Sequence, residues 1–291
     1  MFVDCLIINA SELITLAGYS SKPKIGDELK DLAIIPSGAI AILGDKIIDV
    51  GKTREISKKY DAEIIIDAEG CIVLPGFIDA HTHLVFAGSR EEELTLKLEG
   101  IPYLEILKRG GGILKTVRLT RDASEKELIE QALKRLDRAL LHGTTTMEAK
   151  SGYGLDTKSE MKILRVNREL DKIHPIDIIS TFLGAHAIPP EFSGEPERYV
   201  DMIIEDMIPR VSKEKLAIFN DVFVEEGVFS PEQGCRILEF GKKYGLIPKV
   251  HADEFHDLGG AKLAVEVGAI SADHLLCSSE EGLRRMAQKC I

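Results

Sequence analysis

Two histidines, His81 and His83, stand one residue apart in the stretch GFIDAHTHL. The apolar residues before them predict a β-strand, and side chains two residues apart on a strand point to the same face. At the end of a strand, two such imidazoles can converge on one cation. The pair therefore indicates a metal site, although two unrelated histidines near a strand end would show the same spacing.

Two further histidines end predicted strands, His251 in KVHADEF and His274 in SADHLL. The chain has only eight histidines, so two more at strand ends are informative. In a barrel of parallel strands the carboxyl ends share one face, where active sites lie. We therefore expect all four histidines at one pocket. A histidine packed for structure alone is the alternative at each position.

From residue 71 onward, apolar strands alternate with helical segments, which predicts parallel strands joined by crossover helices in an α/β fold. Residues 1–70 instead hold short β-type runs with glycine turns and no helical period, which predicts a small all-β unit. The domains are therefore predicted as 1–70 and 71–291. The six predicted strands are CIVLPGFIDAHTH, GTTTMEAKSGY, IDIISTFLGAH, FNDVFVEE, LIPKVHADEF and AISADHLL.

Helix starts are predicted where a serine or threonine is followed three residues later by a glutamate or glutamine. These pairs are Ser124 with Glu127, Thr157 with Glu160, Ser230 with Gln233, and Ser278 with Glu281. The crossover from Leu84 to Ala123 is longer than usual and contains three consecutive glycines, 110–112, so we expect a lid over the strand ends with a glycine hinge.

Composition narrows the class of partner. With 291 residues, 44% of them apolar, the chain can bury a large core. A net charge of -11 without a basic run argues against nucleic acid and anionic membranes and favours small molecules. Five scattered cysteines suggest no disulfide framework, and neither a signal peptide nor a membrane span is indicated. A cytoplasmic protein is expected.

The LPGFID context of the two histidines resembles the amidohydrolase superfamily. Further stretches resemble the imidazolonepropionase family within it, in order and over nearly the whole chain: HTHLVFAGSREEEL, YLEILKRGGGILKTVRLTR, GTTTMEAKSGYGLD, FLGAHAIPPEF and HADEF. This resemblance implies a TIM-like (β/α)8 barrel, with about six β/α units present, and a small N-terminal β-sandwich. It also implies a cytosolic enzyme that hydrolyses 4-imidazolone-5-propanoate to N-formimidoyl-L-glutamate with one divalent zinc or iron ion.

The same resemblance implies roles for individual residues. The metal ligands would be His81, His83 and His251, and the residues that contact substrate would be Arg90, Tyr153, His186 and Glu254. A guanidinium at position 90 would pair with the propionate arm, although an arginine followed by three glutamates also fits a solvated helix face.

Proton transfer needs a group beside the metal, and Glu254, three residues after His251, is the predicted catalytic carboxylate. The neighbouring Asp253 competes for this role. His274 would orient the attacking water or stabilise charge on the carbonyl oxygen. No lysine occurs in FNDVFVEE, where dinuclear superfamily members carry a carbamylated bridging lysine, so one metal ion is expected and dihydroorotase and hydantoinase functions are disfavoured.

The sequence is also compatible with two other hypotheses about function. A nucleobase aminohydrolase would release ammonia and would not need Arg90. The second hypothesis is an inactive remnant. Six β/α units are two short of a closed barrel, and the resemblance implies that the family's remaining metal ligand is an aspartate at the end of the eighth strand. We expect such an incomplete barrel to be insoluble or inactive alone, and a homodimer is possible.

Overall fold

A computed structural model describes residues 1–18, 24–101, 105 and 111–291. Contacts divide the chain into two units, Met1–Gly76 and Phe77–Ile291. This division falls six residues after the predicted one at 70/71. The reason is that the start of the first predicted barrel strand, Ile72–Val73, pairs instead with the strand at the N-terminus.

The N-terminal unit is one mixed five-stranded sheet with one α-helix in its described part. The order is β3-β2-β1-β4, and β5 also pairs with β1. This sheet amounts to one layer of the predicted β-sandwich, and the second layer stays a prediction. The elements are β1 (Phe2–Ile14), β2 (Ile34–Leu43), β3 (Lys46–Lys52), α1 (Thr53–Lys59), β4 (Asp61–Asp67) and β5 (Ile72–Val73).

The second unit has the six predicted parallel strands, each hydrogen-bonded to the next in chain order. This all-parallel arrangement confirms the α/β barrel class. The first and last strands, β6 and β11, are the two edges of the hydrogen-bonded order. The strands are β6 (Phe77–Thr82), β7 (Thr144–Lys150), β8 (Asp177–Ala185), β9 (Phe219–Val224), β10 (Ile247–Ala252) and β11 (Ser271–His274).

Helices cover the strands. None of those in the described residues is both long and apolar enough to cross a bilayer. The crossover that we expect to act as a lid contains the helices Glu91–Leu98 and Ile113–Asp122. Gly110, part of the predicted glycine hinge, lies outside the described residues. The helices are α2 (Glu91–Leu98), α3 (Ile113–Asp122), α4 (Glu125–Leu141), α5 (Thr157–Ile173), α6 (Pro196–Met202), α7 (Ile208–Glu214), α8 (Pro231–Lys243), α9 (Gly260–Val267) and α10 (Glu280–Lys289).

Two of the four predicted helix caps are correct and two are displaced by one residue. Ser124 and Ser230 both form the predicted capping box at the starts of α4 and α8. At α5 the cap is Asp156, not Thr157, because the Asp156 carboxylate accepts a hydrogen bond from the Ser159 backbone N–H. At α10 the cap is Ser279.

Glu160, predicted as part of a helix cap, instead shapes the loop after β7. Its buried carboxylate accepts hydrogen bonds from the backbone N–H groups of Gly152, Gly154 and Leu155. Gly152 has a φ of +104°, and a Cβ there would lie 2.8 Å from the Leu183 carbonyl oxygen, so only glycine fits. The loop that carries Tyr153 is thus held by one carboxylate.

We expect Glu160→Gln to lower the free energy of unfolding by about 1–3 kcal/mol, because the new amide NH₂, in place of Oε2, would face the Gly152 backbone N–H, which needs an acceptor. Urea denaturation would measure the loss. The matched control is Glu169→Gln on the exposed side of α5, where Glu169 pairs with Lys172, and its stability should be unchanged. Equal stability of the two variants would contradict this role for Glu160.

Candidate metal centre

Three histidines converge at the carboxyl ends of β6, β10 and β11. The ring centroids of His81, His251 and His274 lie 4.6 Å (His81 to His251), 5.2 Å (His81 to His274) and 5.1 Å (His251 to His274) apart. One ring nitrogen from each lies within 4.8 Å of the others. Since β6 and β11 are opposite edges of the hydrogen-bonded order, the sheet must curl to bring these side chains together.

His83 lies beside this cluster, but it is not one of the three histidines whose ring nitrogens have metal-ligand spacing. Its ring stacks on His186 at 4.7 Å between centroids and lies 6.1 Å from His81. The Nδ1 atoms of His83 and His186 lie 3.1 and 3.0 Å from the carbonyl oxygens of Ser151 and Gly152. A proton on each Nδ1 would satisfy these carbonyls and leave the Nε2 lone pairs free for a ligand.

His83, His186 and His274 are neutral near pH 7, because the pKa of each lies below its ordinary value. Burial lowers the pKa of His83 well below its ordinary value, and neighbouring histidines lower it further. Burial likewise lowers the pKa of His186 to about 3 and that of His274 to about 4. Neutral imidazole is the form that binds metal ions.

His251 carries a buried nitrogen that needs a partner. Its Nδ1 lies 2.9 Å from an oxygen of Asp221, and its Nε2 is buried without a hydrogen-bond partner among the described residues. An orphaned, buried imidazole nitrogen next to two further imidazoles is the donor set that a zinc or iron ion requires. The residues therefore fit a divalent transition metal.

A fully buried lysine, Lys150, joins three strands next to the histidines. Its ammonium lies 2.9 Å from Glu148, 2.9 Å from Asp221 and 3.1 Å from Asp273. Burial alone would lower the pKa of Lys150, but the three carboxylates raise it, so the ammonium stays charged. β7, β9 and β11 are thereby linked inside the barrel.

Two of these carboxylates also contact the histidines. Asp273 lies 3.3 Å from Nδ1 of His81, and Asp221 makes the contact with His251 already described. When a carboxylate accepts a hydrogen bond from the imidazole nitrogen that does not bind the metal, it fixes the tautomer and the orientation of the ring. Asp221, His251 and Asp273 form a second group with metal-ligand spacing, but the Lys150 ammonium already contacts both of its carboxylates.

The sequence motifs do not mark Lys150, Asp221 or Asp273 as residues of the metal site. The sequence does contain a hint, because MEAK in β7 and FNDVFV in β9 place charged side chains next to apolar ones within predicted strands. Charges in such positions are rarely buried unless they are paired. What the sequence does not show is which charges on non-adjacent strands meet.

Glu254 and Asp253, the two candidates for proton transfer, have different surroundings. Glu254 lies 3.6 Å from Nε2 of His274, and burial raises its pKa. The Asp253 carboxylate is fully buried and accepts hydrogen bonds from the Gly260 backbone N–H and the Ser278 hydroxyl, at the start of α9. Asp253 therefore has a structural role, and Glu254 is the one of these two carboxylates that faces a histidine of the cluster.

Arg90 and Tyr153 line a cavity of about 380 Å³. The Tyr153 ring also lies 4.9 Å from His83 and 5.4 Å from His186, so it forms a shared wall between the cavity and the histidines. A larger surface groove of about 690 Å³, alongside α8, contains none of the predicted site residues. The cavity is lined by Phe86, Gly88, Ser89, Arg90, Thr116, Arg135 and Tyr153.

We expect Lys150→Met to lower the free energy of unfolding by about 3–5 kcal/mol, because it leaves the carboxylates of Asp221 and Asp273 without an ammonium, whereas Glu148 keeps its contact with Lys249. The matched control is Lys172→Met, which removes an exposed lysine from α5 and should leave stability unchanged. Urea denaturation of both variants would measure this. A loss below about 1 kcal/mol for Lys150→Met, within the range of a surface pair, would contradict a central role for its ion pairs.

Solved structures share this fold at low identity. The chain aligns over 98% of its length with 5-methylcytosine deaminase from Klebsiella pneumoniae, with a TM-score of 0.63 and 16% identity, and covers 64% of that chain. A zinc-bound adenosine deaminase from Xanthomonas campestris aligns over 99%, with a TM-score of 0.59 and 12% identity, and is covered over 61%. These likenesses show the barrel fold alone.

Sequence comparison is more specific. A profile described as the amidohydrolase family matches residues 65–101. Imidazolonepropionase of Geobacillus sp. (strain WCH70) is 53% identical over 98% of this chain, which covers 68% of that protein. Imidazolonepropionase of Alkaliphilus oremlandii (strain OhILAs) is 51% identical over 100% of this chain, with 69% of that protein covered. The chain spans about two thirds of the length of these relatives, and it belongs to the imidazolonepropionase family.

Proposed function

We propose that this chain carries the metal and substrate sites of an enzyme that hydrolyses 4-imidazolone-5-propanoate to N-formimidoyl-L-glutamate, a step in histidine degradation. The observation that carries the proposal is the convergence of imidazoles at the strand ends around the orphaned nitrogen of His251. Membership of the imidazolonepropionase family supports the same reaction. A homodimer and a cytoplasmic location are part of this proposal.

One divalent ion, zinc or iron, would be held by His81, His83 and His251. Such an ion polarises a carbonyl oxygen and makes a water molecule acidic enough to attack near neutral pH. Asp273 and Asp221 contact Nδ1 of His81 and of His251, and these contacts orient the two rings so that the other ring nitrogen, Nε2, can face the ion. His274 either completes the ligand set or orients the attacking water beside Glu254, to which it is adjacent.

Proton transfer would fall to Glu254. Its carboxylate faces the imidazoles, and burial raises its pKa, which brings it closer to the working pH of a general base. Glu254 would take a proton from the attacking water and return it to the ring nitrogen that leaves when the amide bond breaks. Both steps need one carboxylate that can change its protonation state.

Substrate orientation would use the cavity next to the histidines. Arg90 pairs with the propionate carboxylate through its planar guanidinium. Tyr153, on the wall shared with His83, and His186 offer a hydroxyl and an imidazole to the polar atoms of the ring. These contacts would place the ring carbonyl near the metal while the propionate extends into the cavity.

The identity of the ligands can be tested by zinc titration. We expect His251→Gln and His83→Gln to weaken zinc binding by more than about 100-fold, and His274→Gln, as the loss of an orienting group, by about 10-fold. His256→Gln is the control, because this half-exposed histidine contacts Glu225 and Glu226 instead. Competition with a chromophoric chelator measures each dissociation constant.

The opposite ranking, with a larger loss for His274→Gln than for His83→Gln, would identify His274 as the third ligand. The ligands would then be the three histidines that converge in the structure, His81, His251 and His274, and not the predicted ones. If the His251→Gln variant binds zinc as tightly as the wild type does, the histidine cluster is not a metal site.

We expect Glu254→Gln to lower kcat for 4-imidazolone-5-propanoate by more than about 100-fold with zinc content unchanged, because the amide cannot carry a proton. Glu226→Gln, at an exposed carboxylate after β9, is the control. Substrate consumption by the zinc-loaded chain would be followed by absorbance.

Activity above a few per cent in Glu254→Gln would contradict the proton-transfer role. Release of ammonia from a nucleobase would favour the aminohydrolase alternative instead. Absence of turnover by the zinc-loaded wild-type chain would agree with the expectation that six β/α units are inactive alone, and zinc binding would then test the metal site separately.

A further inference from the structure

Arg135, on α4, is a half-buried cation without a counter-ion. One Nη donates a hydrogen bond to the Leu84 carbonyl oxygen, and the guanidinium carbon lies 3.7 Å from the centre of the Phe86 ring. Among the described residues no carboxylate pairs with it. Burial lowers its pKa, and no charged neighbour offsets that effect. The burial of this guanidinium is therefore offset, among its described contacts, by one hydrogen bond and one ring contact, and neither supplies a negative charge.

The same cavity contains a second guanidinium, that of Arg90, which also lacks an ion pair among the described residues. Two of the three glutamates that follow it are engaged elsewhere. Glu93 accepts a hydrogen bond from the Gly112 backbone N–H, and Glu92 pairs with Lys115. Two like charges that line one cavity repel each other, so the cavity is suited to an anion that contacts both.

The position of Arg135 is fixed before any ligand arrives. Stacking on Phe86 and the hydrogen bond to Leu84 hold the guanidinium plane and leave its Nε and second Nη as donors. Phe86 in turn lies 6.0 Å from Tyr153, the wall shared with the histidines. A ligand held at the histidines can therefore extend an arm past Tyr153 towards both arginines.

We propose that Arg135 is a specificity-determining residue that selects, together with Arg90, for substrates with a carboxylate arm. This inference rests on the proposed function and adds a residue that neither the sequence motifs nor the resemblance assigns. The cavity, at about 380 Å³, lies within the range of small-molecule sites, and the hydroxyls of Ser89 and Thr116 complete its lining. An uncharged arm of equal length would leave both guanidiniums unpaired.

The test compares two stable ligands by isothermal titration calorimetry on the zinc-loaded chain, 3-(imidazol-4-yl)propanoate and its uncharged amide. We expect wild type to prefer the propanoate by about 10-fold or more, and Arg135→Gln to lose most of that preference while it binds the amide unchanged. Arg138→Gln, at an exposed arginine on the same helix, is the matched control and keeps the preference.

Arg135→Lys keeps the charge without the planar fork and should show an intermediate preference, which provides a second measurement if the glutamine variant does not fold. If the Arg135 variants lose affinity equally for the propanoate and for the amide, the role of Arg135 is merely structural and the inference is overturned. An unchanged preference in them would overturn it too. Because the assay needs no turnover, equal binding of the two ligands by wild type overturns this inference independently of whether the chain hydrolyses its substrate.

Discussion

The ammonium of Lys150 contacts one carboxylate from each of β7, β9 and β11, and the geometry of the candidate site depends on this interaction. Alternate strands of a parallel barrel contribute side chains to a common interior layer, so a single buried cation can link three of them. Two of the carboxylates, Asp221 and Asp273, extend the link to His251 and His81. The ligating imidazoles are thus oriented by charges that the barrel interior itself holds in place.

This arrangement separates two kinds of polar group in one low-dielectric interior. The Lys150 ammonium offsets only part of the negative charge of three carboxylates and leaves that layer anionic, whereas burial keeps His83 and His186 neutral. Neutral imidazoles next to a rigid anionic layer attract a divalent cation without the need to lose protons first. Beyond the Tyr153 wall the polarity reverses, since the cavity is lined by two arginines. The site therefore offers separate places for a metal cation and an anionic substrate arm.

Much of the fold and part of the site could be predicted from sequence, because strand ends and helix caps are local signals. The six strands and the approach of His251 and His274 to His81 follow from apolar runs that end in polar residues. The caps at α5 and α10 were displaced because two polar residues stand next to each other at each helix start, and only the folded loop decides between them. Partners of Lys150 and Arg135 could not be predicted, since such contacts depend on register across strands and on which side of a helix meets a loop.

The central claim is that the strand-end histidines hold one metal ion. Diffraction from crystals of the zinc-loaded chain, collected on both sides of the zinc absorption edge, tests it most directly. A metal ion held by these histidines would give one anomalous peak per chain, at about 2.0–2.1 Å from a ring nitrogen of His81 and of His251. A peak between Asp221 and Asp273 that displaces the Lys150 ammonium, or no peak near His251, would contradict it.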